Sequence, residues 1–436
     1  MSMQTQAQLG FDDLERPSEA LLLECVHCGL CLQTCPTYST LGFEADSPRG
    51  RLYLIAKVLD GKTVLTKGFV DHMHLCLLCR ACEYSCPAGV KYGRLMETVR
   101  GQIRRRFGQP VLERLAQYII FKTVFPQQTR LEFLFSVSRL YQQSHLQGVM
   151  RRTGLIHLLP KRVRIMDEYL PPIPSRFFKA TEHPITSPRG EKEHRVGFFS
   201  GCVMSLVYPS ANEATLRVLA RNNCEVITPS QQKCCGALHV HNGELETAKQ
   251  MARANIDAFE RAGVELIISN AGGCGTMLKE YAELLRDDPQ YAKKAEKFSK
   301  KVRDFSEFLT SIDLDKSFGK IEAKATYQDS CHAANVQKIR EQPRTLLKSI
   351  PGIQYVEMKE ADRCCASAGS YWFTKHDLSM NLLDSKMANI AATNADLIVS
   401  ANPPCLMQLQ FGVRRTGMKA EVIHLAELLE RAYQAS

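Results

Sequence analysis

Cys25-Val26-His27-Cys28-Gly29-Leu30-Cys31-Leu32-Gln33-Thr34-Cys35-Pro36 and Cys76-Leu77-Leu78-Cys79-Arg80-Ala81-Cys82-Glu83-Tyr84-Ser85-Cys86-Pro87 are the stretches whose reading decides the N-terminal fold. Both spell C-x2-C-x2-C-x3-C-P. The two-residue loops let three thiolates converge on one face, with the intervening backbone N–H groups able to point at whatever the sulfurs hold. Such a run suits a [4Fe–4S] cube, and in paired runs the fourth cysteine ligates the other cube. Cys25, Cys28, Cys31 and Cys86 are therefore expected to hold one cluster, and Cys76, Cys79, Cys82 and Cys35 the second. Two zinc ions are the bland alternative. Zinc sites, however, favour separated C-x2-C pairs over a run of four closed by proline.

The chain has 17 cysteines in 436 residues. The polar stretch Met1–Leu9 lacks a charged-then-apolar leader pattern, so secretion is not expected. Without it the thiols stay reduced, and a disulfide framework is a poor explanation for so many. No stretch is apolar for long enough to span a bilayer. The hydrophobic fraction of 44% and charged fraction of 23% are those of an ordinary globular protein.

Eight more cysteines fall in an internal repeat. Cys202, Cys234-Cys235 and Cys274 are followed in the same order by Cys331, Cys364-Cys365 and Cys405. The flanks repeat too, Leu266-Ile267-Ile268-Ser269 against Leu397-Ile398-Val399-Ser400. Short apolar strands alternate with helical stretches here, which argues for two copies of one α/β unit. In each copy cysteines stand just past a strand, where open α/β sheets build their sites. Cys202, Cys234, Cys235 and Cys274 make one candidate metal site, and Cys331, Cys364, Cys365 and Cys405 the other. The seventeenth, Cys224, has no counterpart and reads as a packing residue beside the strand-like Val226-Ile227. His239, His241 and His332 lie near the Cys-Cys pairs. Each reads as a hydrogen-bonded or surface histidine, with ligation or donation to a quinone as the sharper alternative. Arg49, Arg51, Arg80, Lys91, His72 and His74 read as solvated groups, with tuning of cluster potential as the alternative.

Twelve Lys/Arg and only Glu113 and Glu132 lie between Gly101 and Ile165, which accounts for the whole formal net charge of +10. Apolar residues interleave them: Leu112, Leu115, Ile119 and Ile120, then Phe133, Leu134 and Leu140. A basic amphipathic segment suits a lipid surface or a partner protein. A helical linker packed on its own domain is the bland reading, and nucleic acid is not expected. Pro171, Pro172, Pro174, Pro184 and Pro188 mark the linker beyond.

The expected fold class is α + α/β. A helical dicluster domain (18–108) leads into a basic helical segment with a Pro-rich linker (109–190). Two repeated α/β cysteine-rich units follow (191–315 and 320–436). The N-terminal part resembles the helical dicluster ferredoxins of respiratory-complex subunits. The repeat resembles the "CCG" domain of heterodisulfide reductases, on Cys234-Cys235-Gly236 and its partners. That pattern closes with C-x-x-C; here Ala271 and Asn402 stand where its first cysteine would be, and Ala366 replaces the glycine in the second copy.

The combination is similar to the family of iron–sulfur subunits of bacterial glycolate oxidases (glycolate dehydrogenases). Asp46-Ser47-Pro48-Arg49-Gly50-Arg51, Gly236-Ala237-Leu238-His239 and Asp329-Ser330-Cys331-His332 add to the resemblance. It implies a subunit that is not catalytic alone. Electrons would pass from FAD-containing glycolate oxidase subunits toward the membrane quinone pool. It implies two [4Fe–4S] clusters, with a further Fe–S cluster or zinc in the repeats, FAD only on partner subunits, and a cytoplasmic place on the inner face of the membrane. The equivalent subunits of lactate or anaerobic glycerol-3-phosphate dehydrogenases, and a heterodisulfide-reductase-like catalytic subunit, are the alternatives.

Overall fold

The computed structural model describes residues 10–108 and 110–436. Its N-terminal part is helical because the sequence caps and patterns short helices around the cysteine runs. Ser47 accepts from the Gly50 N–H and Pro48 opens the helix Pro48–Leu59, which buries Leu52, Ile55 and Val58. Thr66 caps Lys67–Leu75 in the same way. The helix Tyr92–Arg106 closes the core with Leu95, Met96, Val99 and Ile103.

The basic segment is helical over Val111–Tyr118, Gln128–Gln143, Leu146–Arg152 and Lys161–Tyr169. Between the first two, Ile119–Val124 forms a wider π-helical turn. The segment is sunk at Phe121, Leu131, Ile156, Ile165 and Tyr169, with Leu131 in the core of the first repeat and Tyr169 in that of the second. Leu112, Leu115, Ile119, Phe133, Leu134 and Leu140 stay exposed.

Nine strands follow: β1 Ile185–Thr186, β2 His194–Phe199, β3 Cys224–Ile227, β4 Leu266–Ser269, β5 Val302–Asp304, β6 Ala323–Tyr327, β7 Ile353–Tyr355, β8 Leu397–Ser400 and β9 Glu421–His424. They form two sheets, ordered β1-β3-β2-β4-β5 and β7-β6-β8-β9. All pairings are parallel except β1 on β3. Apart from β1, which comes from the linker, the two orders are the same topology. The repeat seen in the cysteine spacing is thus a repeat of fold. Parallel strands covered by helices read as apolar runs, as Leu397–Ser400 does with all four residues buried.

The two units share one core. Leu216 and Leu219 from the helix Pro209–Arg221 meet Leu428 and Leu429 from Leu425–Gln434. His424 Nε2 donates to the Asn270 carbonyl at 2.9 Å, and the Gly272 N–H to the Ala401 carbonyl at 3.0 Å. Among the described residues no helix is long and apolar enough to cross a membrane.

Candidate iron–sulfur and thiol sites

The two cysteine runs fold alike. His27 (φ 55°) and Gly29 (φ 81°) flank Cys28; Leu78 (φ 53°) and Arg80 (φ 59°) flank Cys79. Left-handed backbone at a leucine and an arginine is strained. Repeating it on both sides of the second cysteine of each run points to a shared task. Such turns aim successive N–H groups inward and make a concave seat for a negatively charged group.

Cys35, Cys76, Cys79 and Cys82 line one cavity, so the fourth cysteine of the first run does join the second run's three. Burial pushes the Cys79 and Cys82 thiols well up, a penalty that cluster iron bound to the thiolates would offset. Cys25, Cys31 and Cys86 sit at the edge of the same helical core, and Cys28 is exposed. Burial raises Cys31 to about 11. Around them Leu23, Val26, Leu30 and Phe43 are exposed. One set of four is therefore at the surface and the other inside.

Two of the cations expected to be solvated are not. Arg51 is 1% exposed, donating to the His72 carbonyl at 2.8 Å and to Thr37 at 3.2 Å, with Asp46 3.6 Å away. Its charge is held beside Cys76 and Cys35. Arg80, also buried, pairs with Glu83 and reaches Glu280 of the first repeat. Arg49, His72 and His74 are partly exposed and Lys91 is exposed.

In both repeats all four cysteines gather past the carboxyl ends of the strands. Cys202 Sγ lies 3.3 Å from Cys234, and Cys235 3.5 Å from Cys274. In the second copy Cys365 is 3.4 Å from Cys405, and Cys364 adjoins Cys331. The thiols stand in a chain, not around a point. Among the described residues no three His, Cys, Asp or Glu side chains converge on a position one metal ion can take. Asn402, where the repeat pattern lacks its cysteine, donates to Cys405 Sγ at 3.2 Å and accepts from the Gly273 N–H at 3.1 Å. Ala271, the other such position, is buried in the core. Cys224 is fully buried in β3 and packs in the core that the two units share, as a packing residue should.

The dicluster domain is docked between the repeats. His332 Nε2 donates to the Leu78 carbonyl at 2.9 Å, Asn335 to the Cys79 carbonyl at 2.9 Å, and Tyr371 to the Leu75 carbonyl at 2.9 Å. Cys79 and Leu77 pack with Cys364, Tyr371 and Cys331 in one cluster. The interior iron–sulfur seat thus abuts the thiols of the second repeat. Arg100 ties the Cys76 carbonyl to the His241 carbonyl of the first repeat, at 2.6 and 2.8 Å. His241 packs edge-on against His332, and His239 donates to the Phe121 carbonyl at 2.8 Å. His239 and His332 fasten domains together through these bonds. Burial holds His241 and His332 at about 3. Arg100, Asn335 and Tyr371 carry no motif. Only their place at a domain seam, invisible in one sequence, marks them.

Known proteins share the order of these sequence regions. Residues 21–90 match the 4Fe-4S dicluster domain family, and residues 196–279 and 325–410 each match the cysteine-rich domain family. Residues 112–170 match the linker region of the glycolate oxidase iron-sulfur subunit. The chain is 44% identical to the probable glycolate oxidase iron-sulfur subunit of Bacillus subtilis (strain 168), over 96% of this chain and 95% of that one. It is 34% identical to the glycolate oxidase iron-sulfur subunit of Escherichia coli (strain K12), over 99% of this chain and 100% of that one. Lactate utilization protein A of Geobacillus sp. (strain WCH70) is 31% identical, but covers 54% of this chain with 98% of its own length.

Proposed function

This chain belongs to the family of glycolate oxidase iron–sulfur subunits, and from that premise we propose that it is the electron-transfer subunit of a glycolate-oxidising complex. The linker match over residues 112–170 carries the choice of substrate system. The lactate-utilisation relative leaves nearly half of this chain unmatched. In this reading FAD-containing partner subunits convert glycolate to glyoxylate, releasing two electrons and two protons, and the electrons leave for the quinone pool. Two [4Fe–4S] clusters held by Cys25, Cys28, Cys31 and Cys86 and by Cys76, Cys79, Cys82 and Cys35 would supply one-electron redox chemistry.

What the chain itself does is position and insulate. It leaves the first set of thiols at the surface, rimmed by Leu23, Val26, Leu30 and Phe43, a face suited to a flavoprotein partner. It buries the second set against the repeats, where water is excluded. Arg51 places a fixed positive charge beside Cys35 and Cys76, which favours added negative charge there.

Membrane contact belongs to the basic segment. Its exposed Leu112, Leu115, Phe133, Leu134 and Leu140, with Arg114 and Arg152, make an apolar and cationic surface of the kind that lies on anionic lipid. A further cluster or zinc in the repeats is the finer part of the reading. Metal analysis of the anaerobic complex decides it: iron beyond two cubes, or zinc, supports it, and neither removes it.

The test of the relay is Cys79→Ser in the assembled complex. Glycolate should still reduce the partner flavin while electron delivery to quinone is lost. Failure of flavin reduction would mean that this chain takes part in the oxidation itself.

A further inference from the structure

A cavity of about 330 Å³ lies where the dicluster domain, the basic segment and both repeats meet. We propose that it is the binding site for the quinone head group; the proposal rests on the relay reading and locates where that relay ends. Cys76 and Leu77 line both this cavity and the neighbouring seat formed by Cys35, Cys76, Cys79 and Cys82. A ring bound here is one residue away from the interior cluster position.

The lining suits a flat, apolar ring with two carbonyl oxygens. Val70, Leu77, Leu78, Ile103 and Phe107 supply the walls. Polar groups converge at separate points: Arg100, His241, His74 and Lys375. Arg100 is more than nine-tenths buried, yet its Nε has no hydrogen-bond partner. His241 Nδ1 is buried 3.3 Å from Glu97 without hydrogen-bond geometry. Among the described residues the side chains of His74 and Lys375 make no hydrogen bond or ion pair. Buried polar groups normally find partners. Two unmet ones in one wall, beside free cationic and imidazole groups, fit a ligand that accepts hydrogen bonds. A pocket of this size and mixed lining is of the ligand-binding kind. Donors fixed in place stabilise the negative charge that builds on carbonyl oxygens as electrons arrive.

The mouth is in the right place for a lipid-soluble molecule. Gly108, Pro110, Glu113 and Gln117 form its rim, and the last two lie on the helix Val111–Tyr118. That helix also carries the exposed Leu112 and Leu115 of the proposed membrane surface. A prenyl tail leaving the cavity would pass directly onto that face. The step balances: quinone takes two electrons and two protons to give quinol, and glycolate oxidation releases the same number of each.

The test is photolabelling of the intact complex in vesicles with an azidoquinone, followed by peptide mapping. Label is expected in the peptides holding Phe107 or Tyr371, and excess unlabelled quinone should remove it. Label confined to peptides near Cys202 and Cys234, where a second cavity lies, overturns the proposal and moves the site there. Label elsewhere, or none, overturns it outright. Lys375→Ala and Thr374→Trp, the latter at an exposed position on the rim, provide the second arm. Quinone reduction is read as a ratio to ferricyanide reduction by the same preparation. The ratio should fall at least tenfold in each; an unchanged ratio in both contradicts the site. If glycolate reduces neither acceptor in the wild-type complex, the relay reading has failed, and the labelling still decides the cavity.

Discussion

Arg51 shows how much of the site is set by single side chains. Its guanidinium is sealed from solvent beside two sulfurs assigned to the interior cluster. A charge so placed raises a nearby redox potential. Arg51→Gln should lower the potential of one cluster by tens of millivolts, roughly 50–100 mV, and Arg51→Lys by less, in a redox titration followed by EPR. The proposed crossed ligation makes a sharper prediction. Cys35→Ser should disturb the cluster of Cys76, Cys79 and Cys82, and Cys28→Ser the other, as two different EPR signals lost. The histidines give a pH dependence. His332 falls from about 6.5 to about 3 through burial, so the folded state refuses a proton that the unfolded chain takes. Its contribution is present above pH 6.5 and is lost as pH falls toward 3. The decline in melting temperature from about pH 7 to about pH 5 should be shallower in His332→Asn. The two cysteine runs were legible in the sequence because their spacing is local. The burial of Arg51 and Arg80 was not, because it depends on what a distant segment lays over them.

At the scale of elements, the repeat was readable from offsets between cysteines, and the sheets bear it out strand for strand. β1 was hidden: two linker residues give no periodic signal, and the strand exists only because β3 offers an edge. The basic segment was read as helical and amphipathic, and it is. Its charges are less available than their number suggests. Arg104 pairs with Glu244, Arg105 with Asp12, and Arg151 with Asp167. Membrane binding should therefore answer to the apolar face and not to the triplet Arg104, Arg105 and Arg106. Leu112→Asp with Leu115→Asp, both exposed, should release the complex from vesicles of anionic lipid without shifting its melting temperature. Retention on the vesicles would leave the segment as a linker.

Across the whole molecule, the dicluster domain and the repeats act as one body because side chains on each side of their seam hold backbone carbonyls on the other. Gly243, at φ 76°, lies against the Arg100 carbonyl; an added Cβ would come within 2.6 Å of that oxygen. Gly243→Ala should cost about 3 kcal/mol and loosen the seam, seen as earlier release of the N-terminal domain to protease. No motif announces this seam, since its partners are some 140 residues apart, as with Arg100 and His241. The seam is what brings the interior thiols, the second repeat and the cavity together. The central claim is that electrons from glycolate enter this chain. The direct measurement is the visible absorbance of the anaerobic complex before and after glycolate. Bleaching of the iron–sulfur band, reversed by added quinone, is the expected result. A flavin that bleaches while the iron–sulfur band stays unchanged would contradict the account.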